Sequence, residues 1–531
     1  MTSSTGIAVS RYARLPYLLL ALLFTLLTLF VATQYAVHGR TFDEWMQDDY
    51  GQRVLAFYLS GGQDRSFLEM QPELYMPQHG SAYELLVSAI QKLTGEKWHT
   101  RSVVGGITGV IGILAMALCG REVAGPWGAF VAATGLALYP RYTGSIFNNS
   151  KDIPFTVAMI VVLWLVLRTV RRWNDTERRF DLYWDAALGS AIGLAAAIRI
   201  NALAWFAIIA VLLIAYWVRR RPEGAAAIRT EISRQLGSLL LIGSTCYLVM
   251  SLTWPYLLVR PISGALDSIA SMTKYQWNHE ILYRGEMVFA PDLPWHYAPV
   301  WLIIGSPLPV ILFVIASAAA VLWRRERSDG RYLVLAAYVA VPLLLLIVLR
   351  PTLYNSLRQF LYIVPGIILI ATGVLLAAVR ALAGSGRRVL AAALVGLAVL
   401  GQAEAVVSSL RIYPYEYAYF SPVVGGYAQA HHSYEGEYWG SCSSEAATWL
   451  RKHHTDYAVA EPSFQDIVAW NSLIESELPG IKSVGDGNPV FLISRDARDG
   501  YRTIHTVMLA GEPLCQVGLR NDVPDAALPQ A

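Results

Sequence analysis

The chain has 531 residues, of which 55% are hydrophobic and only 15% are charged, whereas about 25% of the residues of an ordinary soluble protein carry a charge. The mean hydropathy is +0.41, and 42 Lys and Arg against 39 Asp and Glu give a net charge of +3. These values exclude a disordered polyelectrolyte and argue against a simple globular enzyme or a nucleic-acid-binding protein.

Apolar stretches long enough to cross a membrane recur along the chain. A span needs about 20 predominantly apolar residues, because the hydrocarbon core is roughly 30 Å thick. Eleven stretches are candidates, and the third and fifth are short and rich in Gly and Ala. They cover residues 15–37, 102–120, 126–140, 153–169, 184–199, 201–218, 236–258, 299–323, 332–349, 359–379 and 389–410. The pattern predicts an all-α polytopic membrane protein with about 11 transmembrane helices.

Basic residues are distributed unevenly between the two sides of these spans. The side that holds Arg11, Arg14 and the Arg168–Arg179 cluster collects twenty Lys and Arg residues, against about eight in the short loops opposite. The positive-inside rule places the basic side in the cytoplasm. We therefore expect a cytoplasmic N-terminus and an extracytoplasmic C-terminus.

Three segments on the predicted outer side are too long to be simple connectors. They are residues 38–101, residues 259–298 and the tail from residue 411. Aromatic and apolar residues in 38–101 predict interfacial helices that lie on the membrane surface. The tail is polar, with eight Lys and Arg against fifteen Asp and Glu.

The tail has the pattern of a small α/β module. Its helix-like stretch and its three β-like runs cover residues 445–452, 489–494, 503–509 and 514–519. Helical and alternating patterns of this length are typical of single helices and strands. We therefore expect a membrane domain at 1–410 and an extracytoplasmic C-terminal domain at 411–531.

Four cysteines divide between the spans and the tail. Cys119 and Cys246 lie in predicted spans, where a small buried thiol is the ordinary interpretation. Cys442 and Cys515 both lie in the outer tail, so a disulfide between them is one alternative and two free thiols the other. The sequence has no CxxC or HExxH pattern that would indicate a zinc site.

Acidic residues follow the first predicted span directly. Asp43 and Glu44 are adjacent carboxylates, which can supply a general base for a hydroxyl and a second group that holds a metal or a substrate. A solvated acidic loop is the alternative interpretation, which the spacing alone does not exclude. His79 lies later in the same loop.

The second outer loop concentrates amides, a cation and a carboxylate before a Pro-initiated span. Asp152 lies where a helix N-cap is expected, and Lys151 could be a snorkelling lysine. Arg199 and Arg358 lie at the outer ends of other spans, against the orientation bias. Each could be an interface anchor, but together with Lys151 they could bind a phosphate.

Several segments in chain order resemble the GT-C superfamily, a group of membrane glycosyltransferases that includes protein O-mannosyltransferases and the lipid A aminoarabinose transferase. The matching segments are Asp43-Glu44, Asn148 to Phe155, Leu293 to Tyr297, Arg358 to Pro365, Tyr413 to Phe420, Gly425-Gly426 and Glu437 to Gly440. Bacterial members carry the motif "RHFLFxxP" at the segment that corresponds to Arg358 to Pro365. They carry the motif "PYQxxYFN…GG…DYWG" at the three segments that follow it. This chain departs from them at Gln359, Ser421 and Glu437, which leaves the donor and the acceptor open.

The resemblance implies the GT-C fold and a glycosyltransferase of the hexosyl or pentosyl type in the cytoplasmic (inner) membrane of the cell envelope. Such enzymes take a sugar from a polyprenyl phosphate carrier on the outer face, usually in a single displacement with inversion. The partners implied are this donor, a lipid, glycan or protein hydroxyl as acceptor, and membrane lipids, with no nucleic acid.

The resemblance also implies roles for individual residues. Asp43 is the expected base or acceptor-positioning carboxylate, with Glu44 beside it and Asp152 as the acidic residue of the second loop. Expected phosphate-binding residues are Lys151, Arg199, Arg358 and His79, and expected substrate-positioning residues are Asn148, Asn149 and Tyr297. No cofactor is certain; a divalent metal ion could share the phosphate-binding role, but the sequence fixes no ligand set.

Two other classes of protein have similar composition. A transporter or a lipid-linked sugar flippase would also have many spans and buried charges. The polar residues gather on one side, however, and the two halves lack matching interrupted helices, which argues against transport. A scaffold subunit of an envelope-assembly complex, with a degenerate transferase fold, is the third alternative.

Overall fold

The computed structural model of the protein describes residues 4–70, 75–174, 182–220, 224–273, 275, 277–312, 330–453, 491–494 and 497–523. Among these residues, eight helices are long and apolar enough to cross a membrane. Most of the chain is helical, and the strands form two small sheets. The chain is therefore a multi-pass helical membrane protein, as the composition predicts.

The described residues contain seventeen α-helices. They are α1 Ser4–Gln34, α2 Phe42–Leu59, α3 Ala82–Thr94, α4 Trp98–Ala137, α5 Pro140–Thr143, α6 Asp152–Asn174, α7 Leu182–Ala196, α8 Ala204–Arg220, α9 Ala225–Thr253, α10 Pro255–Val259, α11 Ser263–Thr273, α12 Tyr297–Ile304, α13 Gly330–Leu349, α14 Val364–Gly384, α15 Arg388–Ile412, α16 Gly426–Ala430 and α17 Cys442–His453. Strands are β1 Glu280–Tyr283, β2 Glu286–Phe289, β3 Phe491–Ser494, β4 Tyr501–Leu509 and β5 Glu512–Arg520.

Two predicted spans, 102–120 and 126–140, share the helix α4. The backbone leaves the helical region at Ala124 and Gly125, where Gly125 has a φ of +76°. A Cβ on Gly128 would lie 2.2 Å from the carbonyl oxygen of Gly120, so the two segments fold back and pack closely against each other. The turn therefore separates the two predicted spans, and only glycine allows the close approach.

The other predicted spans correspond to helices with shifted ends. The fifth, 184–199, is the 15-residue helix α7. It packs along α9, where a Cβ on Gly193 would lie 2.3 Å from the carbonyl oxygen of Cys246. The predicted span 299–323 begins as α12, but its residues 313–323 lie outside the described residues.

Helices α2 and α3 lie within the first predicted outer loop, and their position on the membrane surface stays a prediction. They pack against each other, and a Cβ on Gly51 of α2 would lie 2.4 Å from the hydroxyl of Ser88 on α3. Their buried faces include Tyr50, Val54 and Val87. The pair lies between the end of α1 and the start of α4 and presents the N-terminus of α2 to the site described below.

The C-terminal part contains the predicted small α/β module. Strands β3, β5 and β4 form an antiparallel sheet in that order, and α17 packs against all three strands. A disulfide joins Cys442 at the start of α17 to Cys515 on β5, with their Cα atoms 5.9 Å apart. This disulfide resolves the alternative left open for the two tail cysteines.

The beginning of the tail packs into the membrane part of the chain. The carbonyl oxygen of Tyr419 accepts a hydrogen bond from Nε of Arg141, at 2.8 Å. The Glu416 carboxylate lies 3.3 Å from Nε2 of His38, which follows α1. The predicted domain boundary at 410/411 stays a prediction, and residues 413–441 help to build the site.

Candidate functional site

Five charged side chains from four parts of the chain meet on one face of the molecule, and we call them the Arg358 cluster. The members are Asp43, Lys151, Asp152, Arg199 and Arg358. Three of them belong to or adjoin helix N-termini. Sequence analysis selected all five, and the fold brings them together.

Asp43 lies in the first turn of α2. Thr41 and Glu44 form a capping box, in which the backbone N–H of Thr41 donates to Oε2 of Glu44 at 3.0 Å. This cap fixes the start of the helix, and Asp43 projects to the Arg358 guanidinium, with which it forms an ion pair. Burial acts to raise the pKa of Asp43, but Arg358, Lys151 and Arg199 together outweigh it, so the pKa is lowered and the carboxylate is ionised at neutral pH.

Asp152 begins α6 and is enclosed by cations and an amide. Its carboxylate forms an ion pair with Arg199, lies 4.0 Å from the Arg358 guanidinium and accepts a hydrogen bond from Nδ2 of Asn149 at 3.1 Å. Oδ1 of Asn149 in turn accepts from the backbone N–H groups of Lys151 and Asp152. Asn149 therefore caps α6, and Asp152, which is 2% exposed, holds two arginines in place.

Lys151 adds a third cation. Its ammonium nitrogen lies 2.9 Å from Nδ1 of His79. Burial, together with the positive charges of Arg199 and Arg358, lowers the pKa of Lys151 to about 7 despite the two nearby carboxylates. With Lys151 protonated, the three cations exceed the two carboxylates by one charge. An anion placed here would balance that excess.

Aromatic rings line one side of the cluster. The Arg358 guanidinium lies 5.2 Å from the ring centre of Tyr354 and 5.4 Å from that of Trp439. Tyr354 stacks on Trp277, with ring centres 4.5 Å apart and planes at 15°, and also on Tyr275 at 6.1 Å. The stacked faces of Tyr275, Trp277 and Tyr354 form an aromatic wall beside the charges.

The loop that carries Tyr354 and Arg358 is held in an unusual conformation. Asn355 and Ser356 both have positive φ, at 56° and 65°, which costs free energy for residues other than glycine. Ser356 is fully buried: its backbone N–H lies 3.2 Å from Oη of Tyr297, and its hydroxyl accepts a hydrogen bond from Nη1 of Arg141 at 2.9 Å.

A carboxylate from the tail completes the anchoring of this loop. The Ser356 N–H also lies 3.2 Å from Oε2 of Glu435. Arg141 stacks 5.0 Å from the ring centre of Trp301 and 5.2 Å from that of Phe420, and burial lowers the pKa of its guanidinium. Three distant parts of the chain therefore set the position of the Ser356 loop.

Two expected site residues lie in other surroundings. Glu44 points away from the Arg358 cluster and lies 3.9 Å from Nε of Arg101, beside Glu84, which accepts a 2.7 Å hydrogen bond from the same arginine. Burial raises the pKa of both carboxyl groups. Asn148 donates from Nδ2 to the carbonyl oxygen of Gly39 at 3.0 Å and so ties the second loop to the first.

His79 and Tyr297, two further expected site residues, contact other residues of the site. His79 contacts Lys151, whereas Tyr297 is 1% exposed and reaches Ser356 rather than open space. The roles expected for all ten site residues stay predictions. The sequence analysis missed Tyr275, Trp277, Tyr354 and Ser356. Only Ser356 had a usable sequence signal, because the pair Asn355-Ser356 is typical of a tight turn.

No family model matches the chain, and no curated protein matches it. Among solved structures, it is similar to ArnT from Cupriavidus metallidurans bound to undecaprenyl phosphate, at 13% identity and a TM-score of 0.48, over 96% of this chain and 99% of that one. It is also similar to the Archaeoglobus fulgidus oligosaccharyltransferase in the apo form, at 15% identity and a TM-score of 0.42, over 85% of this chain and 63% of that one. The function proposed below is built on the residues of this chain and on their contacts.

Proposed function

We propose that this chain is a GT-C-type membrane glycosyltransferase that transfers a sugar from a polyprenyl-phosphate-linked donor to an acceptor on the outer face of the cytoplasmic membrane. The observation that supports this most is the Arg358 cluster, in which an excess of partly or fully buried cations surrounds an ionised, partly exposed carboxylate. The GT-C-like motifs support it further, because the segments that resemble that superfamily contribute Asp43, Lys151, Asp152 and Arg358 to this one site.

The cations would bind the donor phosphate. Arg358 is 8% exposed at its side chain, and Arg199 17%, so both charges lie in a partly dehydrated site where attraction to a phosphate is strong. Nε of each arginine is buried without a hydrogen-bond partner, which leaves a donor for a ligand oxygen. As the sugar leaves, these groups and Lys151 would stabilise the charge that develops on the phosphate.

Asp43 would act on the acceptor. Its side chain is 33% exposed, and its lowered pKa keeps it ionised, so it can accept a proton or a hydrogen bond from an incoming nucleophile. Arg358 contacts Asp43 and would also contact the phosphate, so the base and the leaving group would share one cation. The displacement proposed here is a single step with inversion, in which the nucleophile attacks the face of the sugar opposite the phosphate and Asp152 positions the two arginines.

The aromatic wall suits a sugar ring. Tyr275, Trp277 and Tyr354 offer stacked ring faces next to the cations, and the apolar face of a sugar packs favourably on such surfaces. The donor's lipid chain would remain in the bilayer. The membrane orientation proposed here, with a cytoplasmic N-terminus and an extracytoplasmic tail, places the site on the outer face.

The test combines lipid profiling with reconstitution. A strain that lacks this protein should accumulate a polyprenyl-phosphate-linked sugar and lose that sugar from one envelope lipid, glycan or protein. The purified full chain in vesicles should then transfer the sugar from the accumulated lipid to an extract of the deletion strain. Movement of the lipid across the vesicle membrane without sugar transfer would contradict the proposal and indicate a flippase.

A further inference from the structure

A second polar cluster lies away from the Arg358 cluster, where the C-terminal sheet meets the segment after α16. It consists of His431, His432 and Glu512, whose ligand atoms all lie within 4.8 Å of one another. Nε2 of His431 is 3.6 Å from Oε2 of Glu512, and the two imidazole ring centres are 3.8 Å apart. Imidazole and carboxylate together are typical ligands of Zn²⁺ and related metals.

His431 is oriented as a metal ligand would be. Its Nδ1 lies 3.0 Å from the carbonyl oxygen of Tyr427, which can only accept a hydrogen bond, so Nδ1 carries the proton. Nε2, the nitrogen that faces Glu512, therefore has a free lone pair in the neutral ring. The Tyr427 ring lies parallel to the imidazole at 5.2 Å between centres. A hydrogen bond of this kind to the second nitrogen is the usual support of a metal-binding histidine.

Both sides of the cluster are held by rigid backbone. Glu512 directly follows the two-residue turn Ala510-Gly511, which joins β4 to β5 with positive φ at both positions, as in tight hairpin turns. On the other side, the carbonyl oxygen of Ser433 accepts a 2.9 Å hydrogen bond from the N–H of Gly285 in the β1–β2 turn. The backbone therefore places the three residues near one another before any ion binds.

The spacing of the ligand atoms fits a tetrahedral ion. Bonds of about 2.0–2.1 Å to nitrogen or oxygen place two ligand atoms of tetrahedral Zn²⁺ roughly 3.4 Å apart. The 3.6 Å between His431 and Glu512 is close to this value, and the exposed His432 needs only a side-chain rotation to complete the set. Three protein ligands would leave a fourth position for water.

We propose that His431, His432 and Glu512 bind one Zn²⁺-class metal ion that joins the β4–β5 hairpin to the segment after α16. The ion serves a structural purpose. The same segment continues to Glu435, which contacts the backbone of Ser356 in the loop that carries Arg358. Metal binding therefore stabilises the contact between the C-terminal sheet and the support of the Arg358 cluster. This inference does not depend on the proposed glycosyl transfer.

The test is metal binding by the purified full-length protein. After EDTA treatment and desalting, Zn²⁺ is titrated by calorimetry, and the retained zinc is measured by mass spectrometry. The wild type should bind one Zn²⁺ per chain, and its melting temperature should rise with Zn²⁺. Loss of an outer-shell hydrogen bond alone weakens metal sites by about 10- to 100-fold, so His432→Ala and Glu512→Gln should each weaken binding at least that much.

A matched control tests whether a histidine–glutamate pair elsewhere on the surface also contributes to Zn²⁺ binding. His99 and Glu96 also lie 3.6 Å apart, on the outer end of α4, but as an exposed pair within one helical turn. His99→Ala should leave Zn²⁺ binding and the Zn²⁺-dependent rise in melting temperature unchanged. Because His432 is exposed, His432→Ala should fold normally. Zn²⁺ binding that survives both ligand substitutions unchanged, or a wild type that binds no Zn²⁺, would show that the cluster is an ion pair and overturn the proposal.

Discussion

Arg358 and Asp43 form an ion pair although 315 positions separate them in the chain. Asp43 lies in the first turn of the second helix, and Arg358 precedes α14, so the pair joins the first predicted outer loop to the predicted outer end of a late span. Arg358 also lies 4.0 Å from Asp152. One guanidinium therefore links two of the three acidic residues that the sequence selects, and any anion bound there would share this cation with the proposed base.

Replacing Arg358 should damage transfer and change the titration of Asp43. Arg358→Gln removes one of the cations proposed to bind the leaving phosphate, and loss of one such donor costs on the order of 10²–10³ in rate. It also removes the charge that lowers the pKa of Asp43, so the acidic limb of the pH–rate profile should move to higher pH. Initial transfer rates between pH 4 and 8 measure both effects.

Arg260→Gln is the matched control for this change. Arg260 also lies on the predicted outer side and forms an ion pair at 3.6 Å with Asp267, but it is 57% exposed. Its loss should leave the rate and the pH profile unchanged. Equal losses in the two variants would show that general surface charge, rather than the Arg358 cluster, attracts the donor.

Donor binding should depend on the protonation of Lys151. Because its pKa is about 7, the ammonium is charged below that pH and loses its charge as the pH rises through it. A sugar-linked phosphodiester stays anionic throughout, so the donor affinity should be highest below about pH 7 and fall above it. A bound phosphate should raise the pKa of Lys151 and extend binding to higher pH.

Two substitutions at Lys151 distinguish the effect of a positive charge on donor affinity from the effect of its loss as the pH rises. Lys151→Arg keeps a charge at all accessible pH values and should give an affinity that stays level between pH 6 and 9. Lys151→Met should give a weaker affinity that is also level. Dissociation constants for a polyprenyl-phosphate sugar, measured by fluorescence competition, check this prediction. An unchanged pH dependence in Lys151→Met would assign the titration to another group.

Arg141 should matter for activity without being required for stability. It is buried between Trp301 and Phe420 and positions Ser356 through its Nη1 atom. Arg141→Met keeps similar apolar bulk and removes a costly buried charge, but it also leaves the Tyr419 carbonyl and the Ser356 hydroxyl without this donor, so the two effects should largely offset and the melting temperature should change little. The Ser356 loop would lose an anchor, and misplacement of Arg358 should lower kcat by about 100-fold. Loss of stability in proportion to the loss of kcat would indicate a purely structural role.

The tail disulfide should be present in the purified protein. Cys442 and Cys515 close a loop of 73 residues, and a native disulfide of this kind contributes about 2–4 kcal/mol to the stability of the folded unit. Non-reducing peptide mass spectrometry should find the two cysteines linked. Cys442→Ser should lower the melting temperature, whereas Cys246→Ser, at a free buried thiol, should change it less. Two free thiols in the wild type would contradict the structure.

Much of the fold could be predicted because hydrophobic length is a strong local signal. Both ends of α13 and α15 lie within two residues of the predicted spans, and α6 begins within one residue of its predicted start, since lipid leaves a segment little alternative to a helix. The helical first outer loop and the three tail strands were also predicted, from composition and alternation. The sequence predicted a break between the spans 102–120 and 126–140, but not the turn at Gly125 that produces it.

The site could be predicted in its charged residues but not in its support. Charges on the outer ends of spans are conspicuous in sequence, so Asp43, Lys151 and Arg358 were selected without structure. The left-handed Ser356 and its contacts with Arg141 and Glu435 depend on long-range packing. Asp43 and Glu44 look equivalent in sequence, yet adjacent helical residues face different directions, and only Asp43 reaches the Arg358 cluster.

The measurement that tests the central claim most directly is sugar transfer by Asp43→Asn and Asp152→Asn in reconstituted full-length protein. The donor is the polyprenyl-phosphate-linked sugar that accumulates in the deletion strain, and melting temperatures are recorded in parallel. We predict that Asp43→Asn loses about 10²–10⁴-fold in rate with little change in melting temperature, and that Asp152→Asn also loses transfer. Wild-type rates in both variants would contradict the assignment of the Arg358 cluster as the site of transfer.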